Sequence, residues 1–356
     1  MIEFLRVIEM NIIERDIWSC LKSSDKNIVI YGMGNGADKI INELERLNIN
    51  IYGVMASDDF VRGQSFRGFT VKKLSDFGGE DIIILTAFGS QRKDVIENIL
   101  KLAEKHTVFA PDVPVYGDNI FNKEFYDSNR DKFERVLEIL ADDLSRKVLE
   151  NEINFKLSGE LKYLTDIFTD KDEAFRILDL GGNESYLDLG AYRGDTIEEF
   201  LRYTGGHYRH ITALEPDKKT FRKLKEYARD ISDIQLWNMG IWSSDCDIYF
   251  NNSLGRGSSI QENGTQKLPV TNIDTLYQIQ KVSYIKIDVE GAEKQALSGG
   301  INTLRRDKPK LNIALYHRSE DIFELPLLLH GINPDYRIYI RQHPHIPAWD
   351  MNLYAV

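Results

Sequence analysis

Two carboxylates follow a short apolar segment in the last third of the 356-residue chain. Residues 284–287 have the composition of a buried strand, and Asp288 and Glu290 come directly after it, beside Gly291. A buried strand needs no acid at its end, whereas the carboxyl edge of a parallel sheet is where open α/β folds bind ligands. We therefore expect Asp288 and Glu290 to take part in a reaction or in substrate binding.

A glycine-marked turn lies upstream, where Asp188, Gly190 and Gly194 follow another strand-like segment and precede a helical pattern. Small residues let the chain turn tightly and bring its backbone close to a ligand. Glu215 ends the next predicted strand, at the position where a carboxylate binds ribose hydroxyls in nucleoside sites. A tight turn with a helix-capping acid is the alternative for either motif alone. Both motifs on consecutive strands favour a nucleoside cofactor.

Two further segments are less specific. Asn238 and Gly240 follow the third predicted strand and could contact an adenine, or could belong to an ordinary turn beside a core tryptophan. Ser258 and Ser259 lie in a loop of small residues that could line a substrate pocket or could simply be mobile. Both alternatives stay open for each segment.

Several of these motifs together resemble the FkbM family of S-adenosylmethionine-dependent methyltransferases, from about Ala174 to Val356. The matching motifs are Asp188-x-Gly190-Ala191-x-x-Gly194-x-Thr196, Glu215-Pro216, Asn272-Ile273-Asp274-Thr275-Leu276, the run 285–293 and Tyr316-His317. Tyr192 stands where the wider methyltransferase pattern has a third glycine, which the FkbM-like pattern tolerates.

The resemblance implies a class I methyltransferase sheet that binds S-adenosylmethionine as its cofactor. The cofactor would lie over the turn 188–194 with Glu215 on its ribose. The resemblance also implies methyl transfer to a hydroxyl, commonly on a sugar or a polyketide. The cofactor-binding residues that we predict are Asp188, Gly190, Ala191, Gly194, Thr196, Glu215, Pro216, Asn238 and Gly240.

Methyl transfer to a hydroxyl requires that the acceptor oxygen be positioned and lose its proton. Asp288 and His317 are the candidate bases, because they end the fourth and fifth strands of the predicted sheet. A lone histidine after a strand is more often structural, but the shared sheet edge favours a role for His317. Glu290 and His343 are candidates for acceptor binding. Asp288, Glu290 and His317 are also compatible with a divalent cation, but their spacing is not specific, and we predict no metal site.

The alternation of strands and helices predicts two α/β domains and a connector. A small N-terminal Rossmann-like domain occupies residues 1–120, with an amphipathic first helix to about Leu21, strands near 27–31, 49–55, 81–87 and 107–109, and a helix through about Leu47. Residues 121–173 form a helical connector that packs against the second domain or against another subunit. The methyltransferase domain covers 174–356, and its last two strands pair antiparallel because residues 343–347 are too few for a helical crossover.

The N-terminal domain has a glycine pattern of its own, Gly32-x-Gly34-x-x-Ala37, with Asp58 or Asp59 as a possible ribose ligand. This pattern resembles the dinucleotide fingerprint and is weak evidence when taken alone. No residues suited to hydride transfer follow it. A recognition or assembly domain and a nucleotide or nucleotide-sugar site both remain open, and an NAD-linked oxidoreductase is the alternative function.

Composition narrows the choice of partners and location. A net charge of −11 disfavours nucleic acid. Cys20 and Cys246 form no metal or disulfide pattern, and no segment is apolar enough to span a membrane. We expect a cytoplasmic O-methyltransferase that acts on a sugar or a glycan-related small molecule in polysaccharide biosynthesis. A homo-oligomer could form through the N-terminal domain or the connector.

Overall fold

The computed structural model of the chain describes residues 10–77, 79–250, 266–278 and 280–356. Its N-terminal part is a six-stranded sheet in the order β3-β4-β2-β1-β5-β6, parallel except for the β3–β4 pair. The elements are α1 (Ile17–Lys22), β1 (Asn27–Tyr31), α2 (Asn35–Arg46), β2 (Gly53–Met55), β3 (Ser65–Phe66), β4 (Phe69–Lys72), β5 (Ile82–Thr86), α3 (Lys93–Ala103) and β6 (Thr107–Phe109).

Three details of this N-terminal part differ from the sequence prediction. Residues 1–9 of the predicted first helix lie outside the described residues, and residues 10–16 are not helical. Helix α1 begins at Ile17, where the Asp16 side chain accepts a hydrogen bond from the Ser19 N–H and caps the helix. Strand β2 begins at Gly53 rather than near Ile49. The short β3–β4 hairpin was not predicted. Strand β5 is buried at all five positions, as expected for a parallel strand covered on both faces.

The connector is helical, as predicted, and packs against the second sheet. It comprises α4 (Lys123–Ser128), α5 (Arg130–Ile139), α6 (Asp143–Ser158), α7 (Leu161–Thr165) and α8 (Lys171–Leu178). One hydrophobic core runs through parts of the N-terminal sheet, the connector and the second sheet, and it includes Val29, Phe133 and Leu187. Because this core is continuous, it does not mark a boundary, and the limits at residues 120 and 173 stay predictions.

The C-terminal half contains a seven-stranded sheet in the order β15-β16-β14-β13-β7-β8-β9. Its elements are β7 (Ser185–Leu189), α9 (Asp195–Tyr203), β8 (His210–Leu214), α10 (Lys218–Tyr227), β9 (Ile234–Trp237), β10 (Gly240–Ile241), β11 (Cys246–Phe250), β12 (Gln266–Thr271), α11 (Ile273–Leu276), β13 (Tyr284–Ile287), α12 (Glu293–Ser298), α13 (Ile301–Asp307), β14 (Lys310–Ala314), α14 (Asp321–Ile332), β15 (Ile338–Gln342) and β16 (Met351–Ala355).

Strand β16 is antiparallel to both of its neighbours, which confirms the predicted mostly parallel sheet with one reversed strand. The small sheet β10-β12-β11 was not predicted. After β13 the chain forms two short helices, α12 and α13. The chain bends at Gly299, where a side chain would lie 2.3 Å from the Trp242 carbonyl oxygen. Among the helices of the described ranges, none is long and apolar enough to cross a membrane.

Candidate active site

The two acids that the sequence analysis placed at one sheet edge do lie there. Strands β7 and β13 are parallel neighbours, with Asp188 opposite Lys286. The Asp288 N–H donates to the Leu189 carbonyl at 3.0 Å. This is the last hydrogen bond between the two strands, so the Asp288 side chain lies where they end. Both acids therefore lie at the carboxyl edge of the sheet, where α/β folds bind ligands.

The turn after β7 depends on two glycines with left-handed backbone conformations. Gly190 has a φ of +90°, and a Cβ atom there would lie 1.9 Å from the Asp288 carbonyl oxygen. Gly194 has a φ of +99°, and a Cβ atom would lie 2.2 Å from the ring of Tyr227. Because neither residue has a side chain, the turn can pass close to the loop after β13 at Gly190 and close to α10 at Gly194.

Asp188 is fully buried and only partly satisfied by the protein. Its Oδ2 accepts a hydrogen bond from the Thr196 hydroxyl at 2.5 Å. Its Oδ1 has no hydrogen-bond partner in the part of the chain that the structure describes. Burial raises the pKa of Asp188 to about 6, although Lys286 and the hydroxyls of Thr196 and Tyr186 act against the rise. A buried carboxylate oxygen without a partner fits a ligand that brings its own donor.

Glu215 follows β8 and is held with both oxygens fixed. One oxygen accepts the Tyr192 N–H at 3.0 Å, and the other accepts the Asp217 N–H at 2.8 Å. Burial raises the pKa of Glu215 to about 7. Each oxygen keeps a second acceptor position, so the carboxylate can receive two hydroxyl donors such as those of a ribose.

The other predicted cofactor residues surround these two acids with differing roles. The Ala191 N–H donates to the Leu214 carbonyl and closes the turn. The Asn238 side chain donates to the carbonyls of Glu215 and Pro216 at 2.9 and 3.0 Å, so it holds the turn that carries Glu215. Gly240 belongs to the small sheet and pairs with Val270. Direct contact of these residues with a cofactor stays a prediction.

Asp288 lies at the centre of a group of polar side chains. Its Oδ2 lies 3.2 Å from Lys286 Nζ, the Tyr316 hydroxyl lies 3.3 Å from its Oδ1, and His317 Nε2 lies 3.5 Å from the same oxygen. Burial alone would raise the pKa of Asp288, but the charges of Lys286 and His317 outweigh it and hold the pKa below its ordinary value. Asp288 is therefore an oriented anion with 30% of its side chain exposed.

His317 is almost fully buried among carboxylates. Its Nδ1 lies 2.8 Å from Glu293, and its Nε2 lies 3.6 Å from Glu290. Burial disfavours the charged ring, but Glu293, Asp288 and Glu290 outweigh it and raise the pKa of His317 to about 10. A ring that is protonated at neutral pH has no lone pair for a proton. The structure therefore favours Asp288 over His317 as the base.

The predicted acceptor-binding residues do not all lie together. Glu290 is exposed beside Asp288 and has a left-handed φ of 53°. His343 is buried near β15, where its ring nitrogens lie 2.8 Å from the Thr169 carbonyl and 2.7 Å from the Tyr354 hydroxyl. Both nitrogens of His343 are thus engaged in the core, which does not favour acceptor binding, and its role as an acceptor ligand stays a prediction. Ser258 and Ser259 lie outside the described residues.

Three groups at this edge are of types that bind metal ions. Asp288, Glu293 and His317 each offer one ligand atom, and these atoms all lie within 4.8 Å of one another. Carboxylate and imidazole ligands suit magnesium or manganese. An ion-pair network around a protonated His317 accounts for the same arrangement equally well. That the site holds no metal ion therefore stays a prediction.

Three residues of this site, Lys286, Glu293 and Tyr316, lie in the motifs that resemble the FkbM family but were not predicted as site residues. Lys286 was the most visible of them, because a lysine inside an otherwise apolar strand is unusual unless its charge is paired. Glu293 opens helix α12 and accepts the Val289 N–H at 2.9 Å, which resembles an ordinary helix start. Tyr316 belongs to the Tyr316-His317 motif, but nothing in that motif indicates that its hydroxyl contacts Asp288.

A cavity of about 420 Å³ lies elsewhere, at the amino-terminal edge of the same sheet. It is lined by Ser185, Arg209, His210, Gln280 and Lys281. None of the acids at the carboxyl edge contributes to it. We place the site at the carboxyl edge because the oriented acids and the glycine turn converge there.

The N-terminal glycine turn is more closed than a dinucleotide site requires. A side chain on Gly32 would lie 2.8 Å from the ring of Phe88, and one on Gly36 would lie 2.7 Å from the Ala87 carbonyl oxygen. The glycines thus permit close packing between α2 and the chain after β5. Asp58 is mostly exposed and lies 3.7 Å from Lys73. These contacts do not favour the oxidoreductase alternative.

Known proteins with this arrangement are methyltransferases. Residues 188–349 match the methyltransferase FkbM domain. The crystal structure of methyltransferase FkbM from Methylobacillus flagellatus is similar over 93% of this chain and 90% of that chain, with a TM-score of 0.72 and 20% sequence identity. Fibrillarin from Aeropyrum pernix, solved with bound S-adenosyl-L-methionine, covers 52% of this chain and 74% of its own at 17% identity. Its TM-score of 0.34 is too low to support an argument. No curated protein sequence matches the chain.

Three features define a class I methyltransferase fold: the sheet order, the single reversed strand and the acids at the carboxyl ends of β7 and β8. The Methylobacillus structure shares the fold of both halves. The region 188–349 belongs to the FkbM family, and the chain is an S-adenosylmethionine-dependent methyltransferase. The buried, unpartnered Oδ1 of Asp188 and the two-fold acceptor Glu215 fit that cofactor.

Proposed function

We propose that this chain is an O-methyltransferase that acts on a hydroxyl of a sugar or a glycan-related small molecule, within polysaccharide biosynthesis. The observation that carries the proposal is the position of Asp288, an oriented carboxylate beside the cofactor acid Asp188. When bound, S-adenosylmethionine supplies an electrophilic methyl group. Asp188 would accept hydrogen bonds from its ammonium, and Glu215 from its ribose hydroxyls.

The proton chemistry of the proposal belongs to Asp288. A hydroxyl placed against the exposed part of Asp288 donates a hydrogen bond to it and passes its proton to the carboxylate as the oxygen is methylated. Lys286 and Tyr316 orient the carboxylate through their contacts of 3.2 and 3.3 Å. Their hydrogen bonds lower its basicity but fix its geometry, and positioning contributes much of the rate in displacement reactions.

The charge of the sheet edge supports a neutral, hydroxyl-rich acceptor. Asp288 and Glu290 present carboxylate oxygens, which accept hydrogen bonds from hydroxyls and repel anionic groups. Glu290 keeps 59% of its side chain exposed at the rim. Sugars offer several hydroxyl donors at spacings that can reach both acids, so we propose Glu290 as an acceptor ligand and Asp288 as the base.

Calorimetric titration with S-adenosylmethionine and S-adenosylhomocysteine tests the cofactor assignment first. We expect one site per chain for each ligand and strong weakening in Asp188→Ala. Transfer of a labelled methyl group to a panel of neutral mono- and disaccharides then tests the acceptor class. The carbohydrate assignment would be refuted if the protein bound the cofactor, methylated no saccharide of the panel, and methylated amines or anionic acceptors instead. The assignment as a methyltransferase would still hold.

A further inference from the structure

The chain that leaves the N-terminal sheet touches the loops that carry the reacting groups. We call residues 112–120, between β6 and α4, the linker segment. Within it, the Tyr116 N–H donates to the His317 carbonyl at 2.8 Å. The Asn119 carbonyl accepts a hydrogen bond from the Ser319 hydroxyl at 2.6 Å. The linker segment is therefore bonded at Tyr116 and again at Asn119 to the chain that follows β14.

The Tyr116 ring closes over the loop after β13. The Arg318 guanidinium carbon lies 4.2 Å from the ring centroid, and the Arg318 Nε donates to the Gly291 carbonyl at 2.9 Å. A Cβ atom on Gly291 would lie 2.8 Å from Cγ of Tyr116. The ring, the guanidinium and the backbone of Gly291 thus form one close stack, in which the cation and the aromatic face attract each other.

The loop under this stack has an unusual backbone. Glu290 and Gly291 are both left-handed, with φ values of +53° and +92°. For Glu290 this conformation is unfavourable unless neighbouring contacts impose it. Asp288 lies two residues before Glu290, so a change in the loop backbone would shift the carboxylates that face the acceptor.

The far side of the linker segment is also fixed. Lys39 of α2 donates to the carbonyls of Pro114 and Val115 at 2.6 and 3.2 Å. Asp112 pairs with Lys156 of α6 at 2.9 Å, and each of these two side chains is only 3% exposed. A segment that is anchored to the N-terminal sheet and the connector can transmit their position to the ring of Tyr116.

We infer that Tyr116 is a positioning residue of the methyltransferase site, through which the N-terminal half holds the loop of Asp288 and Glu290 in its reactive conformation. The inference rests on the reaction site proposed above. It gives the N-terminal half a role that requires no nucleotide: this half holds the linker segment whose Tyr116 ring covers Gly291, and the C-terminal half alone lacks that ring.

Hydrogen–deuterium exchange of the full chain tests this inference without knowledge of the acceptor. In Tyr116→Ala we expect faster exchange, on the order of tenfold, in peptides that cover residues 288–293. Exchange in β7 and β8 and the affinity for S-adenosylhomocysteine should stay unchanged. Tyr116→Phe keeps the ring and should resemble the wild type, whereas Arg318→Met should repeat the effect of Tyr116→Ala. Tyr52→Ala, at an exposed tyrosine of the N-terminal half, is the matched control.

Kinetics on an accepted sugar add a second measurement. Tyr116→Ala should lower kcat on the order of 10- to 100-fold, because small misplacements of reacting groups have effects of that size, and Tyr116→Phe should restore it. Unchanged exchange in 288–293, or faster exchange throughout the chain, overturns the inference. A wild-type protein that transfers no methyl group counts against the proposed function instead, and the exchange measurement still decides the role of Tyr116.

Discussion

Asp188 and Asp288 are chemically alike, but their surroundings give them different tasks. Asp188 is fully buried, and burial raises its pKa to about 6, whereas the cations beside Asp288 hold the pKa of that carboxyl low. A ligand with a positive charge stabilises the anionic form of Asp188 on binding. Asp288 is already anionic in the free protein and faces solvent on one side, as a group that meets a hydroxyl must.

Asp288→Asn tests the assignment of the base. The amide keeps the size of the side chain but cannot take a proton, so we expect kcat to fall by about 10²- to 10⁴-fold. Affinity for S-adenosylhomocysteine should change little, since Asp188 and Glu215 are untouched. Steady-state kinetics and calorimetry measure the two effects. Asp335→Asn, at an exposed aspartate beyond the opposite sheet edge, serves as the control, and equal activity of the two variants would exclude Asp288 as the base.

Glu215 should make cofactor affinity depend on pH. Burial raises its pKa from 4.5 to about 7 in the folded protein, so the carboxyl is partly protonated near neutrality. Its contribution to folding stability is present below pH 4.5 and is lost as the pH rises through 7. Binding has the opposite sign, because ribose hydroxyls donate to the anion.

Calorimetry at several pH values should therefore show tighter binding of S-adenosylhomocysteine at pH 8 than at pH 6. Glu215→Gln should bind about 10- to 100-fold more weakly at pH 8, the range for a lost hydrogen bond to a charged group. The variant should also lose most of the pH dependence. A wild-type affinity that is flat between pH 6 and 8 would contradict this role of Glu215.

Sequence reasoning located the acids of this site because each follows an apolar strand. The loop geometry after β13 could not be predicted, since it depends on Lys286, Glu293 and Tyr316, which reach Asp288 or its loop only in three dimensions. The burial of His343 could not be predicted for the same reason. Its position after a strand resembles that of His317, but the partners of its ring come from Thr169 and Tyr354, which no local pattern identifies.

At the scale of elements, the site depends on how closely β7 and β13 approach each other at their ends. The turn after β7 passes beside the Asp288 carbonyl, and only a glycine fits at position 190. The contact holds the turn that follows Asp188 against the backbone of Asp288. The parallel arrangement of the strands could be predicted from the alternating pattern, but the closeness of these loops could not.

Comparison of Gly190→Ala with a control glycine separates the effect of this contact from the effect of backbone strain. A Cβ atom at Gly190 would overlap the Asp288 carbonyl oxygen, so we expect loss of cofactor binding and a decrease in the free energy of unfolding of about 3 kcal/mol or more. Gly205→Ala is the matched control, because Gly205 also has a positive φ, +62°, but has no atom within 4 Å of the added group. Its cost should be about 1 kcal/mol. Urea unfolding compares the two, and equal costs would show that the contact is unimportant.

Short elements account for most of the differences between prediction and structure. Strands β10, β11 and β12 lack the long apolar runs of the central strands, and two of them are joined through residues that the structure does not describe. The break at Gly299 could be suspected from the pair Gly299-Gly300, but the close approach of the Trp242 carbonyl, which leaves no room for a side chain there, could not.

At the scale of the whole molecule, the connector joins the two sheets through buried charges as well as apolar contacts. Arg341 of β15 is 1% exposed and makes paired hydrogen bonds to Glu173 at 2.7 and 2.9 Å and to Asp142 at 2.6 and 3.3 Å. Its Nη1 also donates to the Ser145 hydroxyl at 2.8 Å. The Arg341 guanidinium thus holds the first turns of α6 and α8 against the second sheet.

Arg341→Met should be strongly destabilising, because it leaves two acids without their buried partner. We expect the free energy of unfolding to fall by about 3–5 kcal/mol. Arg337→Met, at an exposed arginine before the same strand, should change it by less than about 0.5 kcal/mol. Chemical unfolding measures both, and a small loss in Arg341→Met would mean that apolar packing alone holds the connector.

The two-part organisation could be predicted from the sequence, but the relation between the parts could not. The glycine pattern at Gly32 and Gly34 suggested a nucleotide site, whereas the structure shows close packing at Gly32 and Gly36. It also shows a linker segment that reaches the other half. Contacts such as Tyr116 with Gly291 join residues 175 positions apart. No local pattern encodes such a contact.

A crystal structure of the full chain with S-adenosylhomocysteine is the most direct measurement. The ligand should lie over the turn 188–194 with its ribose hydroxyls on Glu215 and its sulfur directed toward Asp288. A ligand bound in that place with its sulfur directed away from Asp288, or with its ribose away from Glu215, would contradict the roles of these two acids in methyl transfer.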